Sequence, residues 1–187
     1  GLHCIDASVL RFYEKSQTKE PIVGACLDLA LWSSFVLPEI LKRKALPLLY
    51  IPKMQVVQEA QLYHTLLKFI EKRAGIAEGT IKVVFLAETF PVVFVLPRMI
   101  EAFEGRCIGC NCGRWDYLFS YQNVVSSHLH FNVDGNDAKC SLPPKHLVTT
   151  SVDFLKKYQI HVAQVCHKYG IQFIGGMNAQ LPSNHPD

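Results

Sequence analysis

The chain has 187 residues, of which 49% are hydrophobic and 19% charged, and its formal net charge is +3. That balance fits one domain, or part of a larger one, with a buried core, and it excludes a disordered polyelectrolyte. The basic residues are scattered, and the longest cationic run, Lys42-Arg43-Lys44, is too short for a nucleic-acid tract and reads as a solvated helix end.

The first ten residues lack a basic segment followed by an apolar core, so no secretory leader is expected. The most apolar run, "VVFLAETFPVVFVL", is broken by Glu88, Thr89 and Pro91 and is too short to span a bilayer, so no membrane partner is expected either. Seven cysteines are an odd number, in a chain too large to need disulfide staples. That favours reduced thiols in an intracellular compartment.

In chain order, a first strand is expected near residues 23–31. "LPLLYIP" (46–52) is a short apolar run and reads as a buried strand. "QVVQEAQLYHTLLKFIEKRAG" follows, with Val56, Val57, Ala60, Tyr63, Leu67 and Ile70 at helical spacing and Gly75 as its C-cap. "TIKVVFLAE" (80–88) is β-branched and apolar, a second buried strand. "PVVFVLPRMIEAFEG" reads as a helix, with Pro91 acceptable in a first turn and Pro97 awkward inside it. "RCIGCNCG" is a third strand of small residues. Residues 126–146 form a polar surface loop. "TTSVDFLKKYQIHVAQVCHKYG" is the clearest helix, with Thr and Ser at its start, Val152, Leu155, Ile160, Val162 and Val165 among its apolar positions, and Gly170 at its end. "IQFIGGM" (171–177) is a fourth strand.

Near-continuously apolar strands alternating with helices predict an α/β fold with a parallel sheet covered by helices. No Gly-x-Gly-x-x-Gly turn follows an early strand, which disfavours a dinucleotide-binding sheet. A complete (β/α)8 barrel takes about 250 residues. Four good strands in this length therefore predict a partial (β/α)8 TIM-type barrel, with residues 1–187 as a single incomplete segment.

Two sets of residues carry chemistry. Cys107, Cys110 and Cys112, with His128 and His130 or Cys140, give a drawable four-ligand zinc site. Against it, alternation along a strand puts Cys110 and Cys112 on one face and Cys107 on the other; buried structural thiols are the simpler account. The second set is Glu88, closing one strand, and Asp116, three residues past another. In a parallel barrel the C-terminal strand ends share the face where active sites form. Two carboxylates there can hold Mg²⁺ and leave positions for water and substrate oxygens. Gly113, lacking a side chain, lets backbone N–H groups approach a small anion. The rival reading has Glu88 capping the next helix and Asp116 pairing with Arg114. Lys53, at another strand end, can contact an anion or simply lie at the surface. His64 and His161 read as ordinary helix residues, and His167 as a partner for a helix C-terminal dipole. No nucleophile elbow exists on which to place a Ser–His–Asp triad.

Three motifs, "GTIKVVFLAETFPVVF", "CNCGRWDYLFSY" and "CHKYGIQFIGGMNAQLPS", supported by "LYIPKMQVVQEAQLY" and "LDLALW", resemble malate synthase of the glyoxylate cycle over nearly the whole chain. The resemblance implies a (β/α)8 barrel that condenses acetyl-CoA with glyoxylate and hydrolyses the thioester to malate and CoA. It implies Mg²⁺ held by Glu88 and Asp116, and a glyoxylate site made by Glu88 with the backbone of Gly113, Arg114, Trp115 and Asp116. It also implies a catalytic arginine just ahead of Gly1-Leu2-His3 and an aspartate base in a helical domain beyond the C-terminal end. On that reading no catalytic residue lies within the chain, and the chain alone does not make malate. The alternative is an inactive, truncated malate synthase-like paralogue with a structural or binding role. The implied location is the peroxisome or glyoxysome, or the cytoplasm. Val95, Pro97 and Arg98 depart from the polar and acidic residues typical of that helix, and 33–37 lacks the expected aromatic-His-Asn run.

Overall fold

A computed structural model describes residues 9–11, 21–128 and 152–176. Strand β1 (Val9–Arg11) pairs antiparallel with β2 (Pro21–Val23). A continuous helical run follows: α1 (Gly24–Leu31), a π-helical turn (Trp32–Val36) and α2 (Leu37–Lys42). The strand expected over 23–31 is corrected here, since only Val23 is extended. The residues after Val23 are Gly, Ala, Cys, Leu and Asp, none of them β-branched, and Ala and Leu favour helix. By length and composition Gly24–Lys42 is long and apolar enough to cross a membrane, and three of its residues, Ala25, Leu29 and Leu37, lie in the core.

Apart from α5, the rest alternates as the sequence predicts: β3 (Leu48–Ile51), α3 (Val57–Ala74), β4 (Lys82–Leu86), α4 (Phe90–Ala102), β5 (Cys107–Asn111), α5 (Arg114–His128), α6 (Asp153–Lys168) and β6 (Gln172–Ile174). The four strands form one parallel sheet in the order β3-β4-β5-β6. Its helix-facing residues Leu49, Ile51, Val83, Phe85 and Cys110 meet Ala60, Tyr63 and Leu67 of α3, Val92, Leu96 and Met99 of α4, and Leu155 and Val162 of α6 in one core. Helix α3 ends at Gly75 in the left-handed conformation (φ 68°), with Ile76 N–H returning to Glu71 O at 3.1 Å. Such a cap satisfies carbonyls at the helix end that have no partner of their own.

Among the described residues β3 and β6 each pair on one side only, and the barrel is not closed. Both edges show it: Leu48 and Tyr50, on the sheet's other face, are 43% and 39% exposed, and Phe173, in register with Cys110 on the edge strand β6, is 40% exposed.

Three local features depart from expectation. Helix α5 is absent from the sequence reading, and residues 126–128, expected in a loop, are its last turn. Helix α6 starts at Asp153 after Val152, which makes no side-chain cap; the Thr-Thr-Ser expected to start it lies outside the described residues. The third concerns Cys107. Val83 pairs with Cys107 but Val84 with Gly109, so Ile108 is a bulged extra residue. A bulge resets the alternation of faces. Cys107 therefore joins Cys110 on the helix-facing side instead of pointing away, and all of Cys107, Cys110, Cys112 and Cys166 are buried. With Cys26 exposed, a thiol reagent applied to the native protein should label Cys26 and spare these four until denaturant is added; peptide mapping of the adducts is the check.

Pro97 sits inside α4, where it cannot donate to the carbonyl four residues back. That carbonyl, Val93 O, instead accepts from His161 Nε2 of α6 at 3.1 Å. The helix is kept intact by a neighbour.

Candidate metal and substrate site at the C-terminal strand edge

Because the four strands are parallel, the residues following each share one edge. Lys53 comes after β3, Glu88 after β4, and Gly113 and Asp116 after β5. Two hydrogen bonds tie these segments together. Thr89 Oγ1 donates to Met54 O at 2.6 Å, joining the β4 and β3 ends. Phe90 N–H donates to Ser120 Oγ at 2.9 Å, joining the start of α4 to α5.

Glu88 is 2% exposed. Its Oε1 accepts the Lys53 backbone N–H at 2.8 Å, and the Lys53 ammonium lies 3.8 Å from the same oxygen. That ammonium also donates to Asp116 Oδ1. The two carboxylates thus converge on one positive charge. The Lys53 backbone is left-handed, φ 56°, a conformation that costs a non-glycine residue about 1–2 kcal/mol. Glu88 does not cap α4, whose N-cap is Thr89. Asp116 pairs with Lys53 rather than Arg114, whose guanidinium stacks 4.4 Å from the centre of the Trp115 ring.

Gly113 has a structural reason to lack a side chain. A Cβ there would lie 2.6 Å from Glu88 Oε2 and 2.8 Å from Glu88 Cβ. The sequence reading reserved that space for an approaching anion; part of it holds the buried carboxylate itself. Gly113 O accepts Tyr117 N–H at 2.9 Å, so α5 begins here, and a helix start presents N–H groups without intrahelical acceptors.

Burial pushes the Glu88 carboxyl up to about 7. The Lys53 N–H and ammonium pull against that rise, and the Asp116 charge adds to it. The same Glu88 charge, after burial, raises the Tyr50 hydroxyl. The consequence for stability has a definite sign. Between the ordinary 4.5 and about 7, the native cation-free protein holds a proton that the unfolded chain has released. Stability should therefore fall as pH rises through that window. Glu88→Gln should flatten the slope, as read by urea unfolding at several pH values.

A cleft of about 350 Å³ opens beside the pair, lined by Lys53, Gln55, Glu88, Thr89, Pro91, Asp116, Phe119, Ser120, Asn123 and Val124. Arg114 and Trp115 do not line it. Half of this lining comes from α5, which the sequence reading left unassigned; the Gly113-to-helix junction was the available signal. Among the described residues no group of three or more His, Cys, Asp or Glu is placed to hold a metal. The zinc alternative drew on His130 and Cys140, which lie outside the described residues along with the His128 side chain. Its three cysteines, Cys107, Cys110 and Cys112, sit in the core. Burial pushes Cys112 up to about 12. Cys110 is raised by hydrogen bonding to Cys107 and Cys166 and then by burial.

A parallel strand–helix sheet with carboxylates at the C-terminal strand ends is the architecture of TIM-barrel enzymes. Within that class the chain belongs to the malate synthase family: the family model for the malate synthase TIM barrel domain matches residues 1–186. It is 34% identical over 166 residues to the bifunctional glyoxylate cycle protein of Caenorhabditis elegans, covering 89% of this chain and 16% of that protein. It is 34% identical to malate synthase A of Escherichia coli, covering 88% and 29%, and 32% identical to the glyoxysomal malate synthase of Brassica napus, covering 87% and 28%. The chain thus spans less than a third of these relatives. Haloferax volcanii malate synthase, in its magnesium/glyoxylate complex, superposes with a TM-score of 0.60 at 12% identity, over 83% of this chain and 40% of that one. At that identity the likeness shows the fold alone.

Proposed function

We propose that this chain forms the metal- and glyoxylate-holding part of a malate synthase, which condenses acetyl-CoA with glyoxylate and releases malate and CoA. One observation carries the reading: Glu88 and Asp116, from adjacent strand ends, meet around a single cationic atom. Two hard carboxylate oxygens suit Mg²⁺, which keeps several positions for water and substrate oxygens. Gly113 supports the fit, since any side chain there would fill the space Glu88 needs. When bound, Mg²⁺ supplies Lewis-acid polarisation of an aldehyde oxygen. The protein's own contribution is positional. Glu88 is fixed by the Lys53 N–H, Asp116 by the first turn of α5. The backbone of Gly113, Arg114, Trp115 and Asp116 offers donors to a small carboxylate at a helix start. The cleft beside them gives acetyl-CoA an approach. As a domain, residues 1–187 are proposed to be one segment of a larger barrel, on the ground that the described sheet has four strands where a closed barrel has eight. A peroxisomal, glyoxysomal or cytoplasmic location belongs to the same proposal, supported by the glyoxysomal naming of the Brassica napus relative.

Calorimetric titration tests the reading. Mg²⁺ should bind the purified protein with one site, and glyoxylate should bind in its presence. Glu88→Gln and Asp116→Asn should each abolish the Mg²⁺ heat. Undiminished binding in both variants would overturn the ligand assignment.

A further inference from the structure

Resting on the reading that Glu88 and Asp116 hold the cation, we propose that Lys53 is a built-in counter-ion that occupies the cation's place and is displaced when the metal binds. The ammonium of Lys53 touches Asp116 Oδ1 and stands 3.8 Å from Glu88 Oε1, so it sets one positive charge against the pair. Its side chain is 46% exposed, whereas that of Glu88 is 2% exposed. The lysine can therefore leave into the cleft; the glutamate cannot. The backbone of Lys53 is anchored independently of its side chain, through the N–H to Glu88 Oε1 at 2.8 Å. Loss of the ammonium contact thus leaves Glu88 held. The left-handed backbone at Lys53 is strain of the kind retained at functional positions, and the N–H and the ammonium of this residue both face one carboxylate.

The device has two opposing consequences. Without metal, Lys53 offsets part of the repulsion between the two facing carboxylates. With metal, the same ammonium is a like charge that must move away, so it lowers affinity. A residue that merely supports the fold has only the first effect, and has it in both states.

Lys53→Met separates the cases. Its melting temperature should drop in the cation-free protein and return to the wild-type value at saturating Mg²⁺. Its Mg²⁺ affinity by calorimetry should rise about tenfold, from removal of a nearby like charge. Lys53→Gly, which relieves the left-handed strain, should show the same gain in affinity if the methionine variant folds poorly. Unchanged or weaker affinity overturns the proposal, as does a melting-temperature loss equal with and without Mg²⁺. If the wild-type protein binds no Mg²⁺, the ligand assignment itself fails and the proposal with it; if wild type binds and Glu88→Gln does not, the assignment stands whatever Lys53 does.

Discussion

Arg106→Met is expected to lower stability by about 3–5 kcal/mol, the usual result of breaking a buried ion pair from one side. Arg106 and Glu71 have side chains only 1% exposed and meet at 2.6 Å, Nη1 donating to Oε1. The arginine also donates from Nε to His64 Nδ1 at 3.3 Å. Glu71 in turn accepts Ile81 N–H at 2.7 Å and Gly79 N–H at 3.1 Å. The cluster therefore ties α3 to the entries of β4 and β5, at the end of the sheet opposite the candidate site. Burial alone would raise the Glu71 carboxyl, but the Arg106 hydrogen bond, with those from Ile81 and Gly79, outweighs it and holds the group below its ordinary range. A depressed carboxylate adds stability above its unfolded value, and that stability is lost as pH falls through the folded value. Removing Arg106 strands the charge in the core. Adding Glu71→Gln to Arg106→Met should restore part of the loss, because glutamine carries no charge and keeps an acceptor for one of the two N–H groups, which donate to different oxygens of Glu71. Urea unfolding is the measurement, and a loss under about 1 kcal/mol would show that water or rearrangement rescues Glu71.

That cluster illustrates what a sequence withholds. Nothing in the sequence singles out Glu71, and Arg106 reads only as the first residue of the strand "RCIGCNCG". Their partnership spans 35 residues and leaves no periodic mark. The strands were legible for the opposite reason: 46–52, 80–88 and the run through Cys107 are short apolar segments between turn signals, and both sheet faces are apolar. Helix α5 was not legible because "RWDYLFSYQNVVSSH" carries no clear apolar stripe; its aromatic residues are spread, with Phe119 65% exposed and Tyr117 buried. Tyr117 is held by stacking on Tyr158 at 3.9 Å between ring centres, a tertiary contact. The bulge at Ile108 was equally hidden, and it alone reversed the expected direction of Cys107. Pro97 looked like a fault in α4 because its remedy, His161, lies 64 residues away. At the candidate site, strand-end position was enough to single out Glu88, Asp116 and Lys53, since parallel topology brings all C-terminal ends to one edge. Position could not say that Lys53 would stand between the two carboxylates, nor that its backbone would be left-handed, a conformation lysine seldom adopts.

Gly113→Ala is expected to be the most damaging small substitution at the site. The added methyl would stand 2.6 Å from Glu88 Oε2 and 2.8 Å from Glu88 Cβ, distances no relaxed structure keeps. Glu88 cannot retreat freely: it is 2% exposed, and its Oε1 is held by the Lys53 N–H. Gly113 cannot retreat either, because its carbonyl starts α5 through Tyr117 N–H. Forcing one methyl into such a place costs about 1–3 kcal/mol. The functional loss should be larger in kind, since the carboxylate displaced is a proposed metal ligand, and Mg²⁺ binding should fall below detection in a calorimetric titration. A double-mutant cycle distinguishes crowding from a general fault in the helix start. Residues in contact couple, whereas independent ones add. Glu88→Gly removes both atoms that collide, Oε2 and Cβ, so Gly113→Ala should cost little stability in that background. An equal cost in both backgrounds would mean that the glycine serves the backbone of α5 rather than the space occupied by Glu88.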